Sequence, residues 1–230
     1  MEKQCLKVDI IKKDYEKDYK YDNTVILTVN ISNFTVNSQQ KLTEFLINNA
    51  LKQQRANFMQ NATNNLYPQA VEDYNYRKEN NFPFNEYVAY LVYTVTFNSN
   101  CLLSFYYDNY TYTGGAHGNT LRLANTFSLL SGFNVPLSAF FKSDTDYIKK
   151  LTQIIIKQAD QNQASNPGIY FDNYRELIVQ FFNKNSFYLT KDGLVIYYGQ
   201  YDIAPYSSGI IEFTIPYSEL DYPPTCENWC

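Results

Sequence analysis

Tyr110-Thr-Tyr-Thr-Gly-Gly-Ala-His-Gly-Asn-Thr120 closes one strand pattern and opens the next. The alternation of Tyr and Thr up to Tyr112 is the period-2 signature of a half-buried strand. Gly114 and Gly115 then point to a turn with positive φ, or to a surface that another chain approaches closely. Upstream, Tyr87 to Phe97 is rich in Tyr, Val and Thr, Asn98-Ser-Asn100 reads as a turn, and Cys101 to Tyr112 returns. Downstream, Thr120 to Leu129 reads as a third strand, closed by Ser131-Gly132. The three predict an antiparallel meander with the one histidine of the chain, His117, at one of its ends.

Outward from the meander the hydrophobic period sets the other elements. Leu6, Val8 and Ile10 alternate with polar neighbours and predict an opening strand, and Val25 to Ile31 a second, more buried one. From Asn37 the period becomes helical. Leu42, Phe45, Leu46 and Asn49 share a stripe that Arg55, Phe58 and Met59 continue, and Pro68 is expected to break or end it. Val71 to Arg77 predicts a second helix. Beyond Val135, helical spacing returns over residues 144–161, starting at Ser143/Asp144, and again at Tyr174, Leu177, Ile178, Phe181 and Phe182. Strands are expected at Phe187 to Thr190, Leu194 to Tyr198 and Ile210 to Ile215. This order predicts an α+β fold, antiparallel sheets with packed helices. No repeat or low-complexity linker interrupts it, so two intimately associated halves, residues 1–130 and 131–230, are expected to share one core.

Composition narrows the function classes. The 230 residues hold 23 Tyr and 16 Phe against one Trp, which suits sheets with wet, tyrosine-lined faces. Net charge is −4, and Lys and Arg form no cluster that would track a nucleic acid. No apolar run is long enough for a membrane span, and no signal-peptide core opens the chain.

Two blocks carry a resemblance. Tyr112-Thr-Gly-Gly-Ala-His-Gly118, and Tyr201-Asp-Ile-Ala-Pro-Tyr-Ser-Ser-Gly209 followed by Phe213-Thr-Ile-Pro-Tyr-Ser-Glu-Leu220, are similar to the signatures of a bacterial extracytoplasmic module of two adjoining domains of unknown function. That module forms the outer part of anti-sigma-V-type factors, which bind lysozyme, and its first half precedes the catalytic domain in some peptidoglycan N-acetylglucosamine deacetylases. The resemblance implies a cell-envelope binding module. Its partner would be a protein such as lysozyme, or the wall glycan. It also implies an exported ectodomain whose membrane or lipid anchor, if any, precedes Met1.

The chemistry legible in the residues is sparse. His117 is the one imidazole, and as a general base it would need Asp108 or Asp202 to orient it and Ser128 or Ser207 as nucleophile. No spacing selects that triad, and no nucleophile-elbow pattern surrounds any serine. The bland reading is a histidine that hydrogen-bonds its own tight loop. Gly114, Gly115 and Gly118 lie between strands with no following Lys-Ser/Thr, which argues against a phosphate cradle. Glu176, Asp192, Asp202, Glu212 and Glu219 form no recognisable glycosidase pair, and a single histidine cannot supply the metal site of a polysaccharide deacetylase. No cofactor, metal site or catalytic residue is therefore assigned. A wall-polymer hydrolase or esterase using His117 stands as the alternative to a binding module.

Tyrosines are the better candidates. Tyr106, Tyr110 and Tyr112 share one strand face and Tyr107 takes the other. A second crowd gathers at Tyr197, Tyr198, Tyr201 and Tyr206. Tyrosine buries a rigid ring and keeps a polar tip, which suits interfaces, although ordinary sheet packing uses it as well. The candidate contact residues are Tyr110, Tyr112, Gly114, Gly115, His117, Gly118, Tyr201 and Tyr206. Cys5, Cys101, Cys226 and Cys230 allow three disulfide pairings. The C-x-x-x-C tail could close on itself or be stapled to Cys5 or Cys101. Structural cysteines are expected ahead of zinc ligands or a Cys101/His117 dyad.

Overall fold

A computed structural model describes residues 5–230. They form a five-stranded sheet of order β1-β2-β3-β4-β5, a three-stranded sheet of order β6-β7-β8, and helices, an α+β fold. The chain groups into two compact units. An N-terminal unit joins residues 9–93 to 107–121, and a C-terminal unit joins the segment ending at Val8 to residues 94–106 and 122–230.

In the N-terminal unit, β1 (Asp9–Tyr21) and β2 (Thr24–Asn37) make an antiparallel hairpin. Its two turn residues, Asp22 and Asn23, have φ of 50° and 61°. Asp and Asn tolerate this left-handed backbone, and two such residues match the twist of the flanking strands. The expected strand around Leu6 to Ile10 is thus displaced: pairing begins at Asp9 and continues to Tyr21. Nearly every β1 residue is exposed, so no apolar alternation marks it in sequence.

From β2 the chain passes through α1 (Lys41–Asn61), one π-turn (Ala62–Leu66) and α2 (Tyr67–Glu79) before β3 (Tyr87–Ser99) pairs with β2 in parallel. A parallel neighbour requires such a crossover. The sheet is therefore mixed, not antiparallel throughout as the sequence pattern predicted. Pro68 does not end the helical run either. The π-turn resets the register just ahead of it, so Pro68 sits in the first turn of α2, where its missing N–H costs little. Ile26, Leu27, Val29 and Ile31 of β2, Ala89 and Leu91 of β3, and Phe58, Ala62, Leu66 and Ala70 of the helical run bury together as this unit's core.

β4 (Leu102–Tyr112) follows β3 through Asn100 and Cys101, both left-handed with φ of 51° and 62°. Cys101 is thus a turn residue and not the start of the return strand. β5 (Asn119–Ser128) completes the sheet. The C-terminal unit adds α3 (Tyr147–Ser165), α4 (Tyr174–Gln180), the antiparallel strands β6 (Phe187–Leu189), β7 (Leu194–Tyr198) and β8 (Ile211–Ile215), and the one-turn α5 (Cys226–Trp229). The start of α3 is set by Asp146, whose carboxylate accepts the Lys149 N–H at 3.2 Å, three residues later than the Ser143/Asp144 start that spacing suggested. Leu151, Ile155, Ile178, Leu194, Ile196, Phe213 and Ile215 centre its core. Disulfides Cys5–Cys226 and Cys101–Cys230 hold the segment before β1 and the β3–β4 turn to α5. Among the described residues no helix is long and apolar enough to cross a membrane.

Candidate functional site

The loop between β4 and β5 is built by three glycines with three different roles. Gly114 has φ of 78°, a conformation that side-chain-bearing residues adopt at a cost, and its carbonyl accepts the Asn85 side-chain amide at 3.1 Å. At Gly118 the constraint is space, because a Cβ would lie 2.4 Å from the Tyr110 ring. That ring stacks on Tyr90 with centroids 5.7 Å apart. Gly115 is exposed, has no positive φ and has no atom within 4 Å of an added Cβ. Tyr112 O–H donates to the Gly115 carbonyl at 3.1 Å. Glycine and tyrosine together therefore fix both ends of a loop whose exposed tip is Gly115-Ala116-His117.

His117 Nδ1 lies 3.0 Å from the Gly118 carbonyl oxygen. A carbonyl only accepts, so Nδ1 carries the proton and the neutral ring has its lone pair on Nε2. The loop thus orients its own histidine.

The second motif is a loop of the C-terminal unit. Tyr201 has φ of 68° and is 53% exposed. A bulky residue held there costs about 1–3 kcal/mol, and its ring recovers little of that by burial. Around it the loop is anchored: Asp202 accepts the Gly199 N–H at 2.6 Å, and Ile203 and Ala204 are buried. The Tyr201 and Tyr206 rings lie 5.7 Å apart. The eight candidate contact residues therefore form two clusters. Tyr110, Tyr112, Gly114, Gly115, His117 and Gly118 come together in the N-terminal unit, and Tyr201 and Tyr206 in the C-terminal one.

Several residues weighed for catalysis are engaged elsewhere. Ser128 Oγ accepts the N–H groups of Leu130 and Ser131 in the turn after β5. Cys101 is fully buried in its disulfide, so the Cys101/His117 dyad lacks its thiolate. The Cys5, Cys226 and Cys230 sulfurs lie within 4.8 Å of one another, but disulfides occupy all three. Glu219 pairs with Lys150 at 3.3 Å.

Sequence reasoning missed an aromatic and ionic cluster in the C-terminal unit. Arg122 pairs with Glu212 and lies 3.7 Å above the Tyr106 ring, a cation–π arrangement. Tyr188 donates to Glu212 at 2.8 Å and packs 5.0 Å from Tyr106, and Tyr197 donates to the Arg122 carbonyl at 3.2 Å. Burial above all, with the Glu212 bond second, pushes the Tyr188 phenol up. Burial likewise raises Tyr93 and Tyr107, which stack at 4.9 Å. Tyr188 and Tyr93 donate as neutral phenols, the latter to Gln54 at 3.1 Å. The cluster draws on five strands, and strand alternation alone does not reveal which strands meet.

Comparison with known proteins places two domains on this chain. Residues 19–120 match a family described as Deacetylase PdaC, and residues 138–218 match one described as Protein of unknown function (DUF3298). The chain carries the two adjoining domains that its motifs resemble. The Anti-sigma-V factor RsiV of Bacillus subtilis (strain 168) is 38% identical over 84 residues, covering 35% of this chain and 29% of that relative. Two solved structures share the fold. One is a DUF3298 family member, BF2082 of Bacteroides fragilis NCTC 9343 (TM-score 0.70, 20% identity, 96% of this chain and 97% of the other). The other is the DUF3298 family protein PA4972 of Pseudomonas aeruginosa PAO1 (TM-score 0.60, 18% identity, 95% of each).

Proposed function

From a chain with these two adjoining domains, we propose an extracytoplasmic binding module that recognises a cell-wall-related protein, lysozyme in the first instance, with wall glycan as the other candidate ligand. The observation that carries this reading is the β4–β5 loop. Gly114 and Gly118 lock its ends, and it offers an exposed Gly115-Ala116-His117 tip on a rigid sheet. Tyr110, Tyr112, Gly114, Gly115, His117 and Gly118 are proposed as one contact cluster, and Tyr201 with Tyr206 as a second. The similarity to an anti-sigma-V factor supports a protein partner. A net charge of −4 favours encounter with a basic one. Two disulfides suit an oxidising compartment. The division at residue 130 is proposed as the boundary between the two sequence modules, consistent with matches that end at 120 and resume at 138.

One observation favours a second reading, a wall-polymer hydrolase or esterase. With Nδ1 committed to Gly118, Nε2 has the lone pair that a general base needs. His117→Ala separates the two. The binding reading expects weaker affinity for the partner and no turnover to lose, whereas the enzyme reading expects turnover of wall polymer that disappears in the variant.

A further inference from the structure

Among the described residues, the N-terminal unit covers one face of its sheet with α1 and α2 and places no element of its own on the other. Strand alternation assigns the faces. Leu27, Val29 and Ile31 pair with Tyr87, Ala89 and Leu91 on the helix side. The residues between them, Thr28, Asn30 and Ser32, pair with Val88, Tyr90 and Val92 and point the opposite way. On β1 their partners are Asp18, Glu16 and Asp14, all exposed. Thr28 donates to Asp18 at 2.7 Å, which confirms that the two strands share this face. Tyr110 joins it by stacking on Tyr90. Val92 is 43% exposed. A shallow depression of about 400 Å³ lies on the hairpin, lined by Asp14, Tyr15, Glu16, Asn30, Ile31 and Ser32.

In the central part of β1 the charges are sorted by face. Lys13 and Lys17 alternate onto the helix side, where Lys17 lies 4.5 Å above the Tyr19 ring. Lys12 and Lys20, next at either end of the acidic row, stand opposite Phe34 and Val25, beyond the stretch where β2 pairs with β3. Charges that merely protect an edge strand from aggregation need no such segregation. Here three carboxylates recur at every second residue, about 7 Å apart, beside a tyrosine pair.

We propose that this open face docks a basic protein surface, whose Lys and Arg heads meet Asp14, Glu16 and Asp18 while their apolar stems lie over Tyr90, Tyr110 and Val92. The inference deepens the binding reading above and rests on it. It is tested by calorimetry with lysozyme and, separately, with cytochrome c as a second basic probe at low salt. Asp14→Asn, Glu16→Gln and Asp18→Asn combined would be compared with Asp144→Asn, Asp172→Asn and Asp192→Asn combined, which removes equal charge elsewhere. Thermal melts check that both remain folded, and Glu16→Gln alone should shift affinity in the same direction if the triple does not fold. The expected result is affinity about tenfold weaker in the face variant and unchanged in the control. If wild type binds lysozyme and the face variant binds it equally well, or both variants weaken alike, the docking face is overturned and the binding reading stands. If wild type ignores lysozyme, that partner is lost, and cytochrome c decides the face alone. A selective loss in the face variant supports it, while equal binding or none overturns it.

Discussion

At the residue scale, the β4–β5 loop turns one sequence motif into separable physical roles. Gly118→Ala drives a Cβ into the Tyr110 ring and should cost about 1–3 kcal/mol. Gly114→Ala puts an L side chain at positive φ and should cost about 1–2 kcal/mol. Gly115→Ala meets nothing and should stay within about 0.5 kcal/mol of wild type. Urea unfolding of the three variants checks the ranking, and a Gly115→Ala as costly as Gly118→Ala would contradict the loop geometry. Tyr201→Gly relieves the left-handed strain. It should leave stability unchanged or raised while weakening partner binding, and a clear loss of stability would show that the ring packs. The motifs were legible in sequence because consecutive glycines have few conformational explanations. The distinction among those glycines was not, because it depends on the Tyr110 ring lying over Gly118 and on Asn85 arriving from another segment.

At the element scale, what the sequence disclosed depended on burial. β2, β3 and the stripes of α3 and α4 bury apolar residues at the expected period and were readable, whereas α1 buries Thr43, Ile47, Leu51 and Phe58 and leaves Leu42 and Phe45 of its expected stripe exposed. β1 is written in Asp, Lys and Tyr, almost wholly exposed, and only its pairing with β2 shows it as a thirteen-residue strand. Pro68 misled for a related reason: a single π-turn, with no sequence signature of its own, shifts it into a first turn. Carboxyls on the helices also carry the acid sensitivity. Asp160 on α3 accepts the Tyr174 hydroxyl at 2.6 Å and pairs with Arg175 at 2.9 Å, and those contacts hold its carboxyl below the usual range. Glu44 is lowered by the Ser38 N–H and then by Lys41. A carboxyl depressed in the folded state contributes stability above its unfolded pKa, and loses it as pH falls through the folded value. Melting temperature followed from neutral to acid pH should therefore fall less steeply in Asp160→Asn than in wild type. An identical slope would remove Asp160 from the account.

At the scale of the whole molecule, covalent ties do what local pattern cannot. The four cysteines permitted three pairings, and only the folded chain shows both C-terminal cysteines reaching outward, to Cys5 and to Cys101. Cys101 and Cys230 are 129 residues apart in sequence, so their bond restricts the unfolded chain strongly. Cys101→Ala with Cys230→Ala should lower unfolding free energy by about 2–5 kcal/mol, read as a shifted urea midpoint. An unmoved midpoint would contradict that role. The α+β class followed from element order, whereas the parallel β2–β3 pair did not, since hydrophobic period does not report strand direction. Function is carried by presented surface: a fixed loop tip, a strained tyrosine and a face of segregated charge. Titration of the intact chain with lysozyme tests that most directly. Saturable heat that weakens as salt rises is the predicted result, and no heat at about tens of micromolar protein, together with wall-polymer turnover abolished by His117→Ala, would contradict it.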